Sequence, residues 1–424
     1  MEGELRDMHA IEKILARGFG LPDVTAGQIA NSDVDLAGIN DLYLQAVYSF
    51  REMGGEKVVA PEKVVVFLDH YAPASSIKQA QNHKEFREFC REQGIVEGLM
   101  DIHEGVCHQI VAEKGMAAPG KIIVITDSHT NTHGAFGAFG TGVGATDMGI
   151  ILRTGKLWFK VPEIIKINLE GTPQKGVYIK DIILHIIGDL GADYAVYKAI
   201  ELSGPLVEEL SISERMCLCN MTTEMGAKTA YIQPDEITFE HLKRVGATDY
   251  NVYTTDDDYV YWAEHTYDVS EIEPQLAIPS SVDNVEDISK QAGTAVDQAF
   301  LGTCTGGRLD DIAVAAQILR GKKIHKDTRM LVVPASKEVF LQAIEHGYMK
   351  TLIEANATFV TPGCAACLGT HEGLIARGES CITTANRNFP GRMGHTGGRI
   401  YLASPAAVAA SALEGKIADP RRYL

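Results

Sequence analysis

The chain has no apolar run approaching the ~18 residues needed to cross a bilayer. Its first residues, "MEGELRDMHA", carry no basic segment leading into an apolar stretch. Spanning and secretory readings are set aside, and a reducing cytoplasm is the expected compartment. Positive charge is in deficit: Lys+Arg number 39 against 56 Asp+Glu, a net charge of −17. Such a surface repels phosphate backbones and argues against a nucleic-acid partner. It still permits an acidic metabolite where arginines and a metal dominate one pocket. The eight cysteines form no dense framework of the kind that staples small secreted domains. The chain also lacks internal repeats and low-complexity tracts.

What is present is alternation. At 424 residues and 45% hydrophobic, the chain can bury large cores and is expected to divide into two or three domains. Short β-branched runs recur at 63–70, 121–130, 298–307, 329–336, 357–364 and 380–389. Amphipathic helical patterns accompany them at 75–94 and 336–356. Continuous apolar strands between helices predict parallel sheets covered on both faces, an α/β fold. The pattern is weakest between about 165 and 285, and the Pro- and Asp-rich stretch 271–290 reads as a domain connection. Five of the six strands run into polar or Gly-rich clusters: "DH", "DSHTNTHG", "GTCTGG", "TPGCAAC" and "NRNFPGR". Ligands in open parallel sheets bind beyond the carboxyl ends of the strands, so these clusters are expected to share one cleft.

Cys364 and Cys367 in "VTPGCAACLGTHEG" could hold a metal, form a redox disulfide or fill a tight turn. Cys304, in "GTCTGG", occupies the same strand-to-helix setting. Three thiolates suit zinc if a fourth ligand such as His371 closes the site. They equally suit a [4Fe–4S] cluster whose fourth iron is left open and acts as a Lewis acid.

"LDHYAPAS", "GVCHQIVAEKG", "DSHTNTHGAFGAFGTG", "GTCT…R", "TPGCAACLG" and "NRNFPGR", in this order, resemble the aconitase superfamily. More narrowly, they are similar to the large subunits of 3-isopropylmalate dehydratase and homoaconitase, over nearly the whole chain from about Ala10 to Pro420. The resemblance implies three α/β/α domains around an iron–sulfur cleft, placed here at 1–163, 164–282 and 283–424. It implies a fourth, swivelling domain on a separate small subunit, because the chain ends at "ADPRRYL" without room for one. It also implies Cys304, Cys364 and Cys367 as ligands of a [4Fe–4S] cluster with one open iron. Cys90, Cys107, Cys217, Cys219 and Cys381 read instead as small buried hydrophobes, with Cys217-Leu-Cys219 alternating like a strand.

Dehydration needs a proton donor for the departing hydroxyl, and a His–carboxylate pair suits that task. The sequence offers Asp69-His70 and Asp127-Ser128-His129 at strand ends, while His108 has no carboxylate beside it. The resemblance supplies one by pairing Glu224 with His108, and it turns Asn220 toward the cluster. In "NRNFPGRMG", it implies Asn386 beside the cluster and Arg387 and Arg392 as a clamp on substrate carboxylate, a task that suits guanidinium forks. Ser128 and Thr130 are candidate hydrogen-bond donors to substrate. His103, His133 and His395 match no role and read as structural.

Two positions depart from the family pattern: Gly306 replaces the usual Asn after Cys304-Thr305, and Asn40 stands where relatives carry His or Gln, where it would face substrate. The expected activity is a hydro-lyase acting on a hydroxy di- or tricarboxylate, foremost 3-isopropylmalate in leucine biosynthesis. Homoaconitase and 2,3-dimethylmalate dehydratase are the alternatives within the class. A cluster-free RNA-binding regulator and a zinc-stabilised, non-catalytic protein are the alternatives outside it.

Overall fold

The computed structural model describes residues 6–424. The runs "VVVF" (Val64–Phe67) and "IIVI" (Ile122–Ile125) are buried at every position. They lie inside an all-parallel five-stranded sheet ordered Leu99–Met100, Val64–Phe67, Leu36–Asn40, Ile122–Ile125, Phe139–Gly142. Val65, Phe67, Ile123 and Ile125 enter one apolar core, whereas Val64, Val66, Ile122 and Val124 enter another. Each face of the sheet therefore has its own core, which is why these strands read as unbroken apolar runs. The helix Ile77–Gln93 covers part of this sheet; Ser76 caps its start and Gly94, in the left-handed region, ends it.

A second parallel sheet is ordered Thr229–Tyr231, Ala199–Ser203, Ile164–Glu170, Ala263–Asp268. The third has seven strands: Val285–Asp287, Gln275–Ala277, Arg399–Leu402, Ser380–Thr383, Gln298–Leu301, Arg329–Val332, Thr358–Phe359. The last five run parallel, and the first two are antiparallel additions at one edge. Ile165, Ile167 and Ile200 of the second sheet share a core with Val65 and Phe67 of the first and Phe300 of the third. The three sheets thus close on common apolar ground.

Three sequence expectations need correction. The stretch 271–290 is no free connection, because it supplies the strands Gln275–Ala277 and Val285–Asp287. A boundary at 282 would cut between two strands of one sheet. The helical pattern 336–356 is two helices, Lys337–Glu345 and Tyr348–Glu354, separated by Gly347 at φ +74°. Cys217 and Cys219 lie on the helix Ile212–Met221, not on a strand. Their alternation is coincidental, and both face the core because that helix is buried nearly all round.

Candidate active site

The three cysteines stand beyond strand ends of the third sheet. After Gln298–Leu301 the chain turns through Thr303 at φ +75°, and after Thr358–Phe359 it turns through Ala365 at φ +47°. Left-handed backbone at a residue other than glycine costs of order 1–3 kcal/mol and persists only where the surroundings impose it. Each of these residues adjoins a cysteine of the trio. The turns are held from outside: Cys364 N–H donates to Asp69 O (3.0 Å), and Arg308 donates to Cys304 O and to Gln109 Oε1.

Polar groups converge on the sulfurs. Cys304 Sγ accepts from Asn220 Nδ2 (3.1 Å) and Asn386 Nδ2 (3.4 Å). Cys367 Sγ meets Asn386 Oδ1 (3.7 Å) and accepts from Arg392 Nη2 (3.9 Å). Asn386 also donates to Asn220 Oδ1 (2.7 Å), so the two amides brace one another. Burial pushes the Cys304 thiol up to about 11 and the Cys364 thiol up to about 12. Left to themselves these thiols keep their protons, yet the groups around them are arranged for anionic sulfur. Three soft donors with amide and guanidinium partners fit an iron–sulfur group, which holds thiolate even where burial disfavours it. His371, the fourth ligand that zinc would need, does not line the cavity that holds the three sulfurs, and its Nε2 is engaged with the carbonyl of His70 (2.8 Å). Asp69, His70 and Cys364 bring one ligand atom each within 4.8 Å of one another. Both Asp69 oxygens are already engaged, however, one with His70 and one with Cys107 N–H.

Against the thiols lies a chain of imidazoles and carboxylates. His70 Nδ1 pairs with Asp69 Oδ1 (2.7 Å), and its Nε2 lies 3.4 Å from Asp127 Oδ2. His108 Nε2 pairs with Asp127 Oδ1 (2.8 Å), and His129 Nε2 with Glu224 Oε1 (2.7 Å). Burial alone would lower the His70 pKa. The Asp69 carboxylate, aided by Asp127, outweighs it and holds the ring well above its ordinary value. Burial would raise Asp127, but pairing with His108 holds it well below the usual carboxylate range. One cavity is lined by His70, His108, Asp127, His129, Cys304, Cys364, Cys367, Asn386 and Arg392.

Several assignments change. Glu224 partners His129, not His108; the carboxylate for His108 is Asp127. Glu224 reaches His129 because Asn131 Nδ2 donates to Thr222 Oγ1 (3.1 Å) and Ala227 O (3.0 Å), fastening the two segments together. Arg387 and Arg392 do not start as a matched pair. Arg387 Nε donates to Glu224 (2.8 Å), whereas Arg392 points at Cys367. Asn40 does not face the cavity: it is fully buried and its Nδ2 donates to Thr126 O (3.2 Å). Thr130 spends its hydroxyl on Asp127 O (2.6 Å), while Ser128 is exposed beside His129. His103 is exposed and pairs with Glu104, and His395 is an exposed turn residue. His133 is buried behind His108, 3.4 Å from ring nitrogen to ring nitrogen.

Sequence reasoning also missed Asp41 and His83. Asp41 accepts from the N–H groups of His70 and Tyr71 (both 3.0 Å) and pairs with His83 (2.9 Å), fixing the turn that carries His70. No motif marks Asp41; only its place at the end of the strand Leu36–Asn40, the central neighbour of the other two, could have raised it.

The sequence profile of the aconitase family (aconitate hydratase) matches residues 26–415. The chain belongs to the aconitase family. It is 50% identical over 414 residues to a 3-isopropylmalate dehydratase large subunit of Methanopyrus kandleri, covering 97% of this chain and 99% of that one. It is 51% identical over 392 residues to a probable methanogen homoaconitase large subunit of Methanosarcina mazei, covering 92% and 99%. Among solved structures, aconitase X of Thermococcus kodakaraensis in its holo form is similar in fold (TM-score 0.50, 13% identity, 89% of each chain). An aconitase-family chain is a hydro-lyase of the iron–sulfur type, and the α/β fold with mostly parallel sheets accords with that membership. Among the described residues, no helix is long and apolar enough to cross a membrane.

Proposed function

We propose that this chain is the cluster-bearing large subunit of a dehydratase–isomerase acting on 3-isopropylmalate, with Cys304, Cys364 and Cys367 ligating a [4Fe–4S] cluster whose fourth iron has no protein ligand. The observation that carries the proposal is the meeting of those three sulfurs with His70, His108, Asp127, His129 and Arg392 around one cavity. When bound, such a cluster supplies a Lewis acid that polarises a hydroxyl and a carboxylate oxygen. The protein's own groups do the rest. His108, oriented by Asp127, delivers the proton that leaves with the hydroxyl as water. His70, clamped between Asp69 and Asp127, keeps its proton and offers a fixed positive donor beside Cys364. Glu224 holds both His129 and the Nε of Arg387, which leaves the arginine's two terminal nitrogens as a fork for a substrate carboxylate. Arg392 and Ser128 complete the set of donors to a substrate carboxylate.

The 3-isopropylmalate relatives carry the substrate assignment, while the 51% identity to a homoaconitase large subunit carries the second reading. The base that removes the carbon-bound proton is assigned to a small subunit bearing the swivelling domain. The proposal is tested by anaerobic reconstitution with iron and sulfide, alone and with a small subunit. A broad brown absorbance that Cys364→Ser abolishes is expected, with turnover of 3-isopropylmalate exceeding that of homocitrate and 2,3-dimethylmalate. Tight stoichiometric zinc without iron uptake would remove the cluster, and preferred turnover of homocitrate would replace the substrate.

A further inference from the structure

Lys180 is 2% exposed, among the largest fully buried side chains of the protein. It occupies the second position of the helix Ile179–Leu190, where the helix macrodipole disfavours a cation. Its Nζ donates to Thr384 O (3.2 Å) and Ala385 O (3.0 Å) and touches Met221 Sδ (3.3 Å). Among the described residues no carboxylate lies within ion-pair distance of it. The neighbouring Asp181 accepts instead from the N–H groups of Tyr178 and Gln275, and burial pushes its carboxyl up to about 7. Glu224 is taken by His129 and Arg387. Burial lowers the Lys180 pKa, opposed by the sulfurs of Cys217 and Cys304 and by Glu224 and Asp311. A buried ammonium without a partner is costly and is normally found only where an anion compensates it.

The position of Lys180 names that anion. The two carbonyls it holds immediately precede Asn386, whose amide donates to Cys304 Sγ, and Arg387. Met221 follows Asn220, the second donor to the same sulfur. The ammonium therefore sits beneath both segments that grip Cys304. We propose that Lys180 is a positioning residue that supplies the counter-charge to the thiolate-ligated group at Cys304 and fixes the Thr384–Arg387 turn against it.

This rests on the cluster reading above and extends it to a residue that touches neither substrate nor iron. A cation near the group favours its reduced, more negative form, so removing the charge makes reduction harder. The test compares Lys180→Gln, which keeps an N–H donor without charge, Lys180→Met, which keeps neither, and Lys180→Arg, which keeps the charge. Each is measured as apo-protein by thermal melting, and after anaerobic reconstitution by redox titration of the visible absorbance and by iron loss in air. Lys180→Gln is expected to melt no lower than the parent as apo-protein, yet to hold its cluster at a lower midpoint potential and lose iron several-fold faster. Lys180→Arg is expected to stay near the parent potential. Lys180→Met should add a disturbed electron-spin-resonance line shape through the released turn. A parent-like potential and iron loss in Lys180→Gln would overturn the proposal while leaving the cluster assignment standing. An apo-protein that unfolds in Lys180→Gln but is rescued by Lys180→Arg without iron would also overturn it, since the charge would then serve the fold. A parent protein that takes up no iron–sulfur cluster would instead defeat the functional reading on which the proposal rests.

Discussion

Under the proposed function, Arg392 is the residue on which sulfur and substrate binding meet. Its Nη2 lies 3.9 Å from Cys367 Sγ, and its Nε is buried without a partner. The unpaired Nε and the long sulfur contact mark a guanidinium placed for an anion beyond the protein's own. Arg392→Lys keeps the charge but loses the planar fork. It is expected to lower kcat/KM of the reconstituted enzyme by roughly 10- to 100-fold, the range of about 1.5–3 kcal/mol for a hydrogen bond to a charged group. The apo-protein melting point should move little, because the one side-chain hydrogen bond Arg392 makes among the described residues is the long contact to Cys367 Sγ. Steady-state kinetics and melting curves on one preparation check both halves. At this scale the sequence is legible where chemistry is local. Asp69-His70 are adjacent and do pair, and the Cys-x-x-C spacing led to Cys364 and Cys367. It is illegible where partners meet through folding alone. His129 and Glu224 are separated by 95 residues, and nothing in either segment says which of three histidines the glutamate will meet. Asp127 follows the same logic: neighbouring His129 in sequence, its carboxylate faces His108 and His70 from other elements.

Among elements, the turn after Gln298–Leu301 shows how one residue's neighbours dictate its size. A Cβ on Gly306 would fall 2.2 Å from Thr384 Cβ and 2.5 Å from its Oγ1. Thr384 cannot yield, since its hydroxyl accepts from Gly302 N–H (2.9 Å) and donates to Gly302 O (2.9 Å), tying the strand Ser380–Thr383 to the cysteine turn. The glycine is thus paired with the threonine, and a larger side chain does not fit beside it. Gly306→Ala is expected to destabilise the apo-protein by about 1–3 kcal/mol through overpacking. A second substitution, Thr384→Gly, should be less harmful on that background than on the parent, and a double-mutant cycle by thermal or urea melting measures the difference. Strict additivity would show that the two residues do not share the space. Element boundaries were legible where caps are written into the sequence. Ser211 and Glu214 form a reciprocal capping box that announces the helix Ile212–Met221, a stronger signal than the Cys-Leu-Cys alternation that suggested a strand. Gly347 likewise signals the break between Lys337–Glu345 and Tyr348–Glu354. The edge strands Gln275–Ala277 and Val285–Asp287 carry no such mark: three residues each, in a Pro- and Asp-rich stretch, they exist because an edge of the third sheet is there to receive them.

For the molecule as a whole, the arrangement of charge around the cavity bears on how the enzyme is completed. Ser128 and Phe389 are exposed and Arg387 is partly so, whereas the histidines and cysteines behind them are buried or nearly so. The acid–base groups thus lie within a cavity whose mouth, at the partly exposed Arg392, opens to water. Water at that mouth would compete for the Lewis-acid site and weaken each charge interaction by dielectric screening. Lewis-acid dehydration therefore requires a lid; the relatives matched over 99% of their own length are named large subunits, and under the proposed function the lid belongs to the small subunit. A lid must also open to exchange substrate and product, so its grip on this chain has to be modest in the free state and strengthened by a ligand contacting both sides. Under the proposed function, a hydroxy-dicarboxylate held by Arg387 and Arg392 is such a ligand. Three measurements on the cluster-loaded protein follow. The isolated chain should show negligible dehydration, seen as no rise in ultraviolet absorbance from the unsaturated product. Adding the small subunit should restore turnover. By calorimetry, affinity between the subunits should rise at least several-fold when a hydroxy-dicarboxylate is present, and that gain should be lost in Arg392→Lys. Linkage makes the last point strict: a ligand that binds the closed form more tightly must tighten the subunits by the same factor. Full turnover by the isolated chain, or subunit affinity indifferent to substrate, would mean that this cavity is closed by its own residues and that the partner serves some other end.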